Sequence, residues 1–209
     1  MPEDREALRA ALESEIRKRC EAGALEDALD VALRGYGPEI LGFIAATHRN
    51  EADAGDVFSA FCEGLWKSLP RFQWQCSFRT WAYTIARRES IRLLQSPIRR
   101  IDRHVGIEVS AVQRIEAELR SQTASFLRTN VKESVARIRE ELPPEDRLLL
   151  ILRVDKELAW SDVAQVMLDD PNADAAALKR ESARLRKRFE LVKAKILELG
   201  KREGLRGGG

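Results

Sequence analysis

Long apolar runs are missing from this sequence of 209 residues. The longest, Leu148 to Leu152, is far shorter than the roughly 20 residues that a membrane-spanning helix needs, so no membrane insertion is expected. The opening stretch MPEDREALRAALE is acidic and has no apolar signal core, which gives no reason to expect export. Cysteine is scarce. Cys20, Cys62 and Cys76 are odd in number, dispersed and without a CxxC pair, which argues against a disulfide framework or a zinc site and suits a reducing cytosol. The two histidines, His48 and His104, stand too far apart to suggest a ligand pair, and neither a glycine-rich phosphate loop nor a nucleophile motif occurs. A protein with no metal, no other cofactor and no catalytic activity of its own is therefore expected. β-branched residues are sparse and no segment alternates with period two, which leaves little room for sheet.

What the chain has is charge and helical periodicity. It is 44% hydrophobic and 33% charged, and long enough for one or two domains with modest cores. The net charge of +2 hides an uneven distribution. Residues 71–104 carry eight Arg against Glu89 and Asp102 (8 − 2 = +6), and residues 178–189 carry six basic side chains against Glu181 (6 − 1 = +5). Residues 35–70 set Arg49 and Lys67 against five acids (2 − 5 = −3). Two basic islands in an otherwise acidic chain suggest two places that meet a polyanion; the alternative is a scatter of solvated helix faces.

Apolar residues recur at three and four nearly everywhere, predicting an all-α protein of two small helical domains joined by a linker. Residues 1–34 form an acidic helical extension whose pattern stops at the breaker Gly35, Gly37 and Pro38. Residues 35–96 make the first domain: a helix over 38–50, a second over 53–69 ended by Pro70, a loop at 71–76, and a helix opened by Ser77 as N-cap. Residues 97–137 read as a basic, then partly helical, linker. The second domain spans 138–200. Pro143, Pro144, Glu145 and Asp146 open its first helix, Ser161 caps a short second one, and a turn at 169–175 leads into a long final helix from about Ala175 to Leu199. Residues 201–209 read as a disordered tail.

In that final helix Leu178, Leu185, Phe189, Val192, Ile196 and Leu199 make one apolar stripe, while Arg180, Arg184 and Lys187 fall on the opposite side. A short helix, a turn and a second helix with a basic face describe a helix-turn-helix, whose second helix enters the DNA major groove; an ordinary helical hairpin with a solvated face is the alternative. The first island reads RFQWQCSFRTWAYTIARR. It interleaves Phe72, Trp74, Phe78, Trp81 and Tyr83 with four arginines in eighteen positions. Arginines hold phosphates without reading sequence, and flat aromatic faces accept unstacked bases. Phe72 and Phe78 are assigned to the core, Trp81 to core and interface together, and the role of Trp74 stays open. Cys76 reads as a half-buried cysteine in preference to a reactive thiol.

Two sets of motifs carry a resemblance. ELPPEDRLLLILRVDKELAWSDVAQVM followed by LKRESARLRKRF resembles the C-terminal promoter-reading domain of bacterial sigma factors, with Leu142-Pro143, Arg147, Asp162-Val163-Ala164 and Arg184–Arg188 in the family's places. The turn at 169–175 is longer than the family's. AGDVFSAFCEGLWKSLPRF is similar to the sigma helix that grips core polymerase, keeping Ala54, Asp56, Val57 and Phe61 but with Gly55 for Glu and Ser59 for Gln. SFRTWAYTIARR resembles the helix that reads and melts the minus-ten element; Phe78, Trp81, Ile85 and Ala86 match, while Ala82 and Arg88 depart. The order and spacing resemble the extracytoplasmic-function class, over about residues 38–96 and 138–195.

The resemblance implies an alternative sigma factor, cytoplasmic, that binds core RNA polymerase and promoter DNA, both duplex and melted strand, with an anti-sigma factor as a further conceivable partner. Polymerase contact would fall to Asp56, Val57, Phe58, Ser59, Phe61 and Glu63. Minus-ten contact would fall to Arg71, Trp74, Arg79, Trp81, Thr84, Arg87, Arg88 and Arg92. Minus-thirty-five contact would fall to Lys179, Arg180, Arg184, Lys187 and Arg188. The competing readings are a helix-turn-helix regulator that never contacts polymerase and a helical adaptor that binds proteins alone. Residues 1–34 lie outside the resemblance; they either shield a basic surface or, the preferred reading, extend the first domain's core.

Overall fold

The computed structural model describes residues 2–48, 51–95, 117–118, 141–168, 170 and 173–202. Among these every regular element is helical, as the periodicity predicts. The elements fall into two units, one before and one after the expected linker. Apart from residues 117–118, the linker at 97–137 lies outside the described residues, as do 203–209 of the expected tail. No described helix is long and apolar enough to cross a membrane.

The first unit opens with helix α1 (Pro2–Glu21). It ends where Gly23 turns to φ +73°, a conformation glycine adopts at no steric cost. There the Ala24 N–H reaches the Arg19 carbonyl at 2.9 Å and the Gly23 N–H reaches that of Cys20 at 3.0 Å, a Schellman closure that satisfies two otherwise orphaned carbonyls. Helix α2 (Leu25–Thr47) then runs unbroken through Gly35, Gly37 and Pro38. This corrects the expected helix stop: the break falls at residues 22–24, and the boundary drawn at 34/35 lies inside one helix. Gly35 is a packing position. A Cβ there would collide with the Leu12 side chain of α1, so its absence lets the two helices approach. Pro38 forfeits one backbone hydrogen bond, but Leu33, Tyr36, Ile40 and Leu41 are all buried on either side of it, and that packing outweighs the loss.

Helix α3 (Glu51–Ser68) buries Ala54, Val57, Phe58, Phe61, Cys62 and Leu65, then tightens into a 3-10 turn over Leu69–Arg71 at Pro70. Helix α4 (Phe78–Gln95) packs on both α2 and α3. The core between them includes Phe43 and Tyr83, edge to face at 5.1 Å between ring centroids.

The first described helix of the second unit is α5 (Pro144–Leu150), whose last turn widens into a π-helical segment, Ile151–Asp155, with the Lys156 N–H reaching back to the Ile151 carbonyl at 3.0 Å. Helix α6 (Trp160–Leu168) starts two residues earlier than a Ser161 cap would place it. The Val163 N–H bonds to the Ala159 carbonyl, so Ser161 lies in the first turn and does not cap it. Helix α7 (Ala175–Arg202) is capped by Asp174, whose carboxylate accepts the Ala177 N–H at 2.6 Å. Its predicted stripe packs on the helices before it: Leu185, Val192 and Leu199 are buried, and Val192, Phe189 and Ile196 join Leu142 and Leu150 in one cluster. Of the turn at 169–175, residues 169, 171 and 172 lie outside the described residues.

Candidate nucleic-acid interface

The first basic island leads into the N-terminal end of α4. Ser77 caps that helix as predicted, its Oγ accepting the Thr80 N–H at 3.0 Å. A second cap comes from α1. The Glu13 carboxylate accepts the N–H groups of Phe78 at 2.7 Å and Arg79 at 2.9 Å, and the Tyr36 hydroxyl donates to it at 2.9 Å. Three of the four orphaned donors of α4 are thereby satisfied, and a carboxylate sits at the positive end of the helix dipole.

In the same turn, the Arg79 guanidinium is almost wholly buried and grips Glu39 of α2 through two nitrogens, with its Nε 3.1 Å from Oε1. The Tyr83 hydroxyl donates to the same carboxylate at 2.8 Å. Burial works against charge on Glu39, but the hydrogen bonds and charge of Arg79, aided by the Tyr83 hydroxyl and by Arg9, outweigh it and hold the carboxyl below its ordinary range. The Tyr83 phenol is pushed well up by burial and by the Glu39 charge, so it stays a donor. Arg79 is thus a structural ion-pair member, 9% exposed, and its guanidinium is turned inward to Glu39.

Above this seam lies an aromatic platform. The rings of Phe72 and Trp81 stack with centroids 4.2 Å apart, Phe78 meets Trp81 edge-on at 5.4 Å, and Trp74 leans on Phe72 at 4.8 Å. Phe78 is fully buried, whereas Phe72, Trp74 and Trp81 stay part-exposed. Trp74 takes φ +57°, a left-handed conformation uncommon for a bulky residue. The guanidinium of Arg17, from α1, lies 5.5 Å from the centre of its ring.

The remaining minus-ten residues divide by burial. Arg71 and Arg92 are exposed and Arg88 is part-exposed, while Thr84 and Arg87 are buried. The Thr84 hydroxyl bonds back to the Thr80 carbonyl at 3.1 Å, and Arg92 pairs with Glu89 at 2.6 Å. Trp81, Arg88 and Arg92 follow one another at seven and four residues, and so share one helix face. Arg71 is an exposed cation at the end of the preceding 3-10 turn.

Helix α3 divides in the same way. Val57, Phe58 and Phe61 are no more than 1% exposed and belong to the core, so of the expected polymerase contacts Asp56, Ser59 and Glu63 are the ones at the surface. Ser59 donates to the Gly55 carbonyl at 3.1 Å, and Glu63 pairs with Lys67.

In the second unit Lys179, Arg180, Arg184 and Lys187 are exposed on α7. Arg184 is held to Glu181 at 2.6 Å but keeps more than half of its side chain in solvent. Arg188 differs. It reaches back to the first turn of α5 and grips Asp146 at 2.5 Å and Glu145 at 2.7 Å, fastening α5 to α7. Trp160, at the start of α6, is flanked by the guanidinium groups of Arg153 at 5.2 Å and Arg186 at 5.7 Å.

Sequence reasoning passed over Glu13, Arg17, Tyr36 and Glu39, which shape the α4 end and its platform. The signal available was weak: Leu12, Glu13, Ile16 and Arg17 recur at helical spacing in α1, but nothing local says which polar residue on that stripe meets another helix. Among the described residues no three His, Cys, Asp or Glu side chains gather into a metal-binding group.

Residues 32–100 match the sequence family described as Sigma-70 region 2. The match spans the platform, α3 and α4, and leaves α1 outside. The chain is also 27% identical over 145 residues to RNA polymerase sigma factor YlaC of Bacillus subtilis (strain 168), an alignment covering 68% of this chain and 80% of that protein.

Proposed function

We propose, from the premise that this chain belongs to the sigma-70 family of RNA polymerase sigma factors, that it is an alternative sigma factor of the extracytoplasmic-function class. It binds core polymerase, docks on the minus-thirty-five duplex, and reads and opens the minus-ten element. It is an initiation factor without catalytic chemistry of its own, and the polymerase supplies the reaction.

The observation that carries the melting role is the part-exposed Trp81, backed by Phe72 and followed along its own helix face by Arg88 and Arg92. Charge alone binds duplex and single strand alike. A site that opens DNA must favour the unpaired form, and stacking does so at about 1–3 kcal/mol per base. A rigid ring already supported from below loses little freedom when a base lands on it. The arginines hold the backbone while the base is captured.

Polymerase binding falls to the part-exposed Asp56, Ser59 and Glu63 of α3, an acidic strip suited to a basic partner surface. Duplex docking falls to Lys179, Arg180, Arg184 and Lys187, on the side of α7 away from its packed stripe. That basic face would also serve a duplex-binding regulator with no affinity for polymerase. Incubation with core polymerase followed by size-exclusion chromatography separates the two readings. Permanganate footprinting of a promoter in the resulting holoenzyme then tests opening. Co-elution with the core and reactive thymines at the minus-ten element are expected; separate elution would leave the duplex-binding regulator.

A further inference from the structure

Helix α1 lies outside residues 32–100, yet one of its faces reaches the part of the molecule to which we assign promoter opening. Four residues at helical spacing form that face. Leu12 packs where Gly35 lets α1 approach α2, and Ile16 is fully buried as its anchor. Glu13 receives two backbone N–H groups of α4 and the Tyr36 hydroxyl. Arg17 lies over the Trp74 ring, and Trp74 holds a left-handed backbone that an ordinary loop would readily leave. The loop between the 3-10 turn and α4 is thus held at its end by Glu13 and at Trp74 by Arg17.

We propose that α1 is a positioning element for promoter opening: Glu13 and Arg17 hold residues 72–77 and the start of α4 in the shape in which Trp74 and Trp81 receive an unpaired base. The inference rests on the sigma-factor reading given above. Glu13 has a second effect through charge. A bare helix N-terminus attracts phosphate, and phosphates are present on duplex and melted strand alike. With Glu13 seated there, and the Arg79 side chain turned inward to Glu39, the start of α4 offers the DNA backbone little. Discrimination between paired and unpaired DNA is left to the rings.

The test uses the full-length protein with core polymerase and compares wild type with Arg17→Ala, Arg17→Lys, Glu13→Gln and Glu13→Ala. Four quantities are read: thermal midpoint, affinity for core polymerase, closed-complex affinity and the rate of opening on duplex promoter. Arg17 is exposed, so its removal leaves folding intact. Arg17→Ala is expected to slow opening by about two- to fivefold, the range of a surface cation–π contact, with the other three quantities unchanged. Arg17→Lys restores part of the rate. Glu13→Gln keeps one acceptor for the α4 end and falls between wild type and Glu13→Ala. If Arg17→Ala opens duplex promoters at the wild-type rate, or slows them only as far as it weakens polymerase binding, the inference is overturned. A wild-type protein that binds polymerase but opens no promoter overturns the functional reading itself, and this inference with it.

Discussion

Phe72 and Trp81 lie face to face, their ring centroids 4.2 Å apart and their planes 14° from parallel. The two come from different elements, one from the end of the 3-10 turn and the other from the first turns of α4. The stack therefore ties the loop to the helix and fixes the angle at which Trp81 meets solvent. It also explains why aromatics and arginines are interleaved here: the rings build the platform from within, and only some of the arginines remain outside it.

Trp81→Ala is expected to reduce open-complex formation on duplex promoters by about tenfold, the value of one stacked base, and to weaken closed complexes far less. Because Trp81 is part-exposed, the accompanying loss of stability should be about 1–3 kcal/mol, below that of a fully buried ring. Trp74→Ala should act in the same direction but less strongly. A wild-type opening rate in the Trp81 variant would remove this platform from the melting step.

The basic side chains of α7 should separate into two kinds. Replacing Arg180, Arg184 and Lys187 together with Ala is expected to lower upstream promoter affinity and to reduce the salt slope by about 0.9 for each phosphate no longer neutralised. Arg188→Ala should instead lower the melting temperature of the second unit, since Arg188 is engaged by Asp146 and Glu145. Titrating promoter affinity against salt, beside thermal melts, checks both; an unchanged slope in the triple variant would mean that the face is only solvated.

Asp56→Lys is expected to weaken association with core polymerase without loss of helicity, because Asp56 is part-exposed while its neighbours Val57 and Phe58 pack in the core. Circular dichroism paired with a core-binding assay reads this out. Wild-type affinity in a folded variant would assign the polymerase grip to another surface.

The Glu39 cluster predicts a pH dependence for the first unit. The folded-state pKa of Glu39 is depressed by its partners despite burial, so the unfolded chain takes up its proton first as pH falls. The stability this provides is present above about pH 4.5, the ordinary value, and is lost progressively as pH drops through the range beneath it. The charged groups that face it are Arg79 on α4 and Arg9 on α1. Glu39→Gln should flatten that dependence and lower stability at neutral pH by about 3 kcal/mol, because the inward-facing Arg79 loses its counter-charge. Denaturant melts of both proteins between pH 3 and 7 give the comparison.

Much of the fold was legible because helices are local. The 3.6-residue period marked the helical class, Ser77 marked the start of α4, Pro144 with its acids marked α5, and the stripe through Leu185, Val192 and Leu199 marked the buried side of α7. Each of these features depends on residues within a turn or two of one another. Two local signals misled: Ser161, which lies inside the first turn of α6, and the run from Gly35 to Pro38. In that run, the same residues that end a helix in isolation are tolerated inside one when their neighbours Leu33, Tyr36, Ile40 and Leu41 are buried and α1 packs against Gly35.

The sites divide along the same line. Residue order alone concentrates aromatics and arginines in one segment and turns a basic row away from the α7 stripe. Which arginines turn inward and which remain at the surface depends on helix packing. Arg79 and Arg71 are indistinguishable by type and lie in the same basic island, but Arg79 meets Glu39, 40 residues away in sequence. The Phe78 amide meets Glu13 across 65 residues. Spacing along a helix says which side chains share a face. It says nothing of which distant carboxylate will lie opposite that face, and for a charged side chain the partner decides between core and interface.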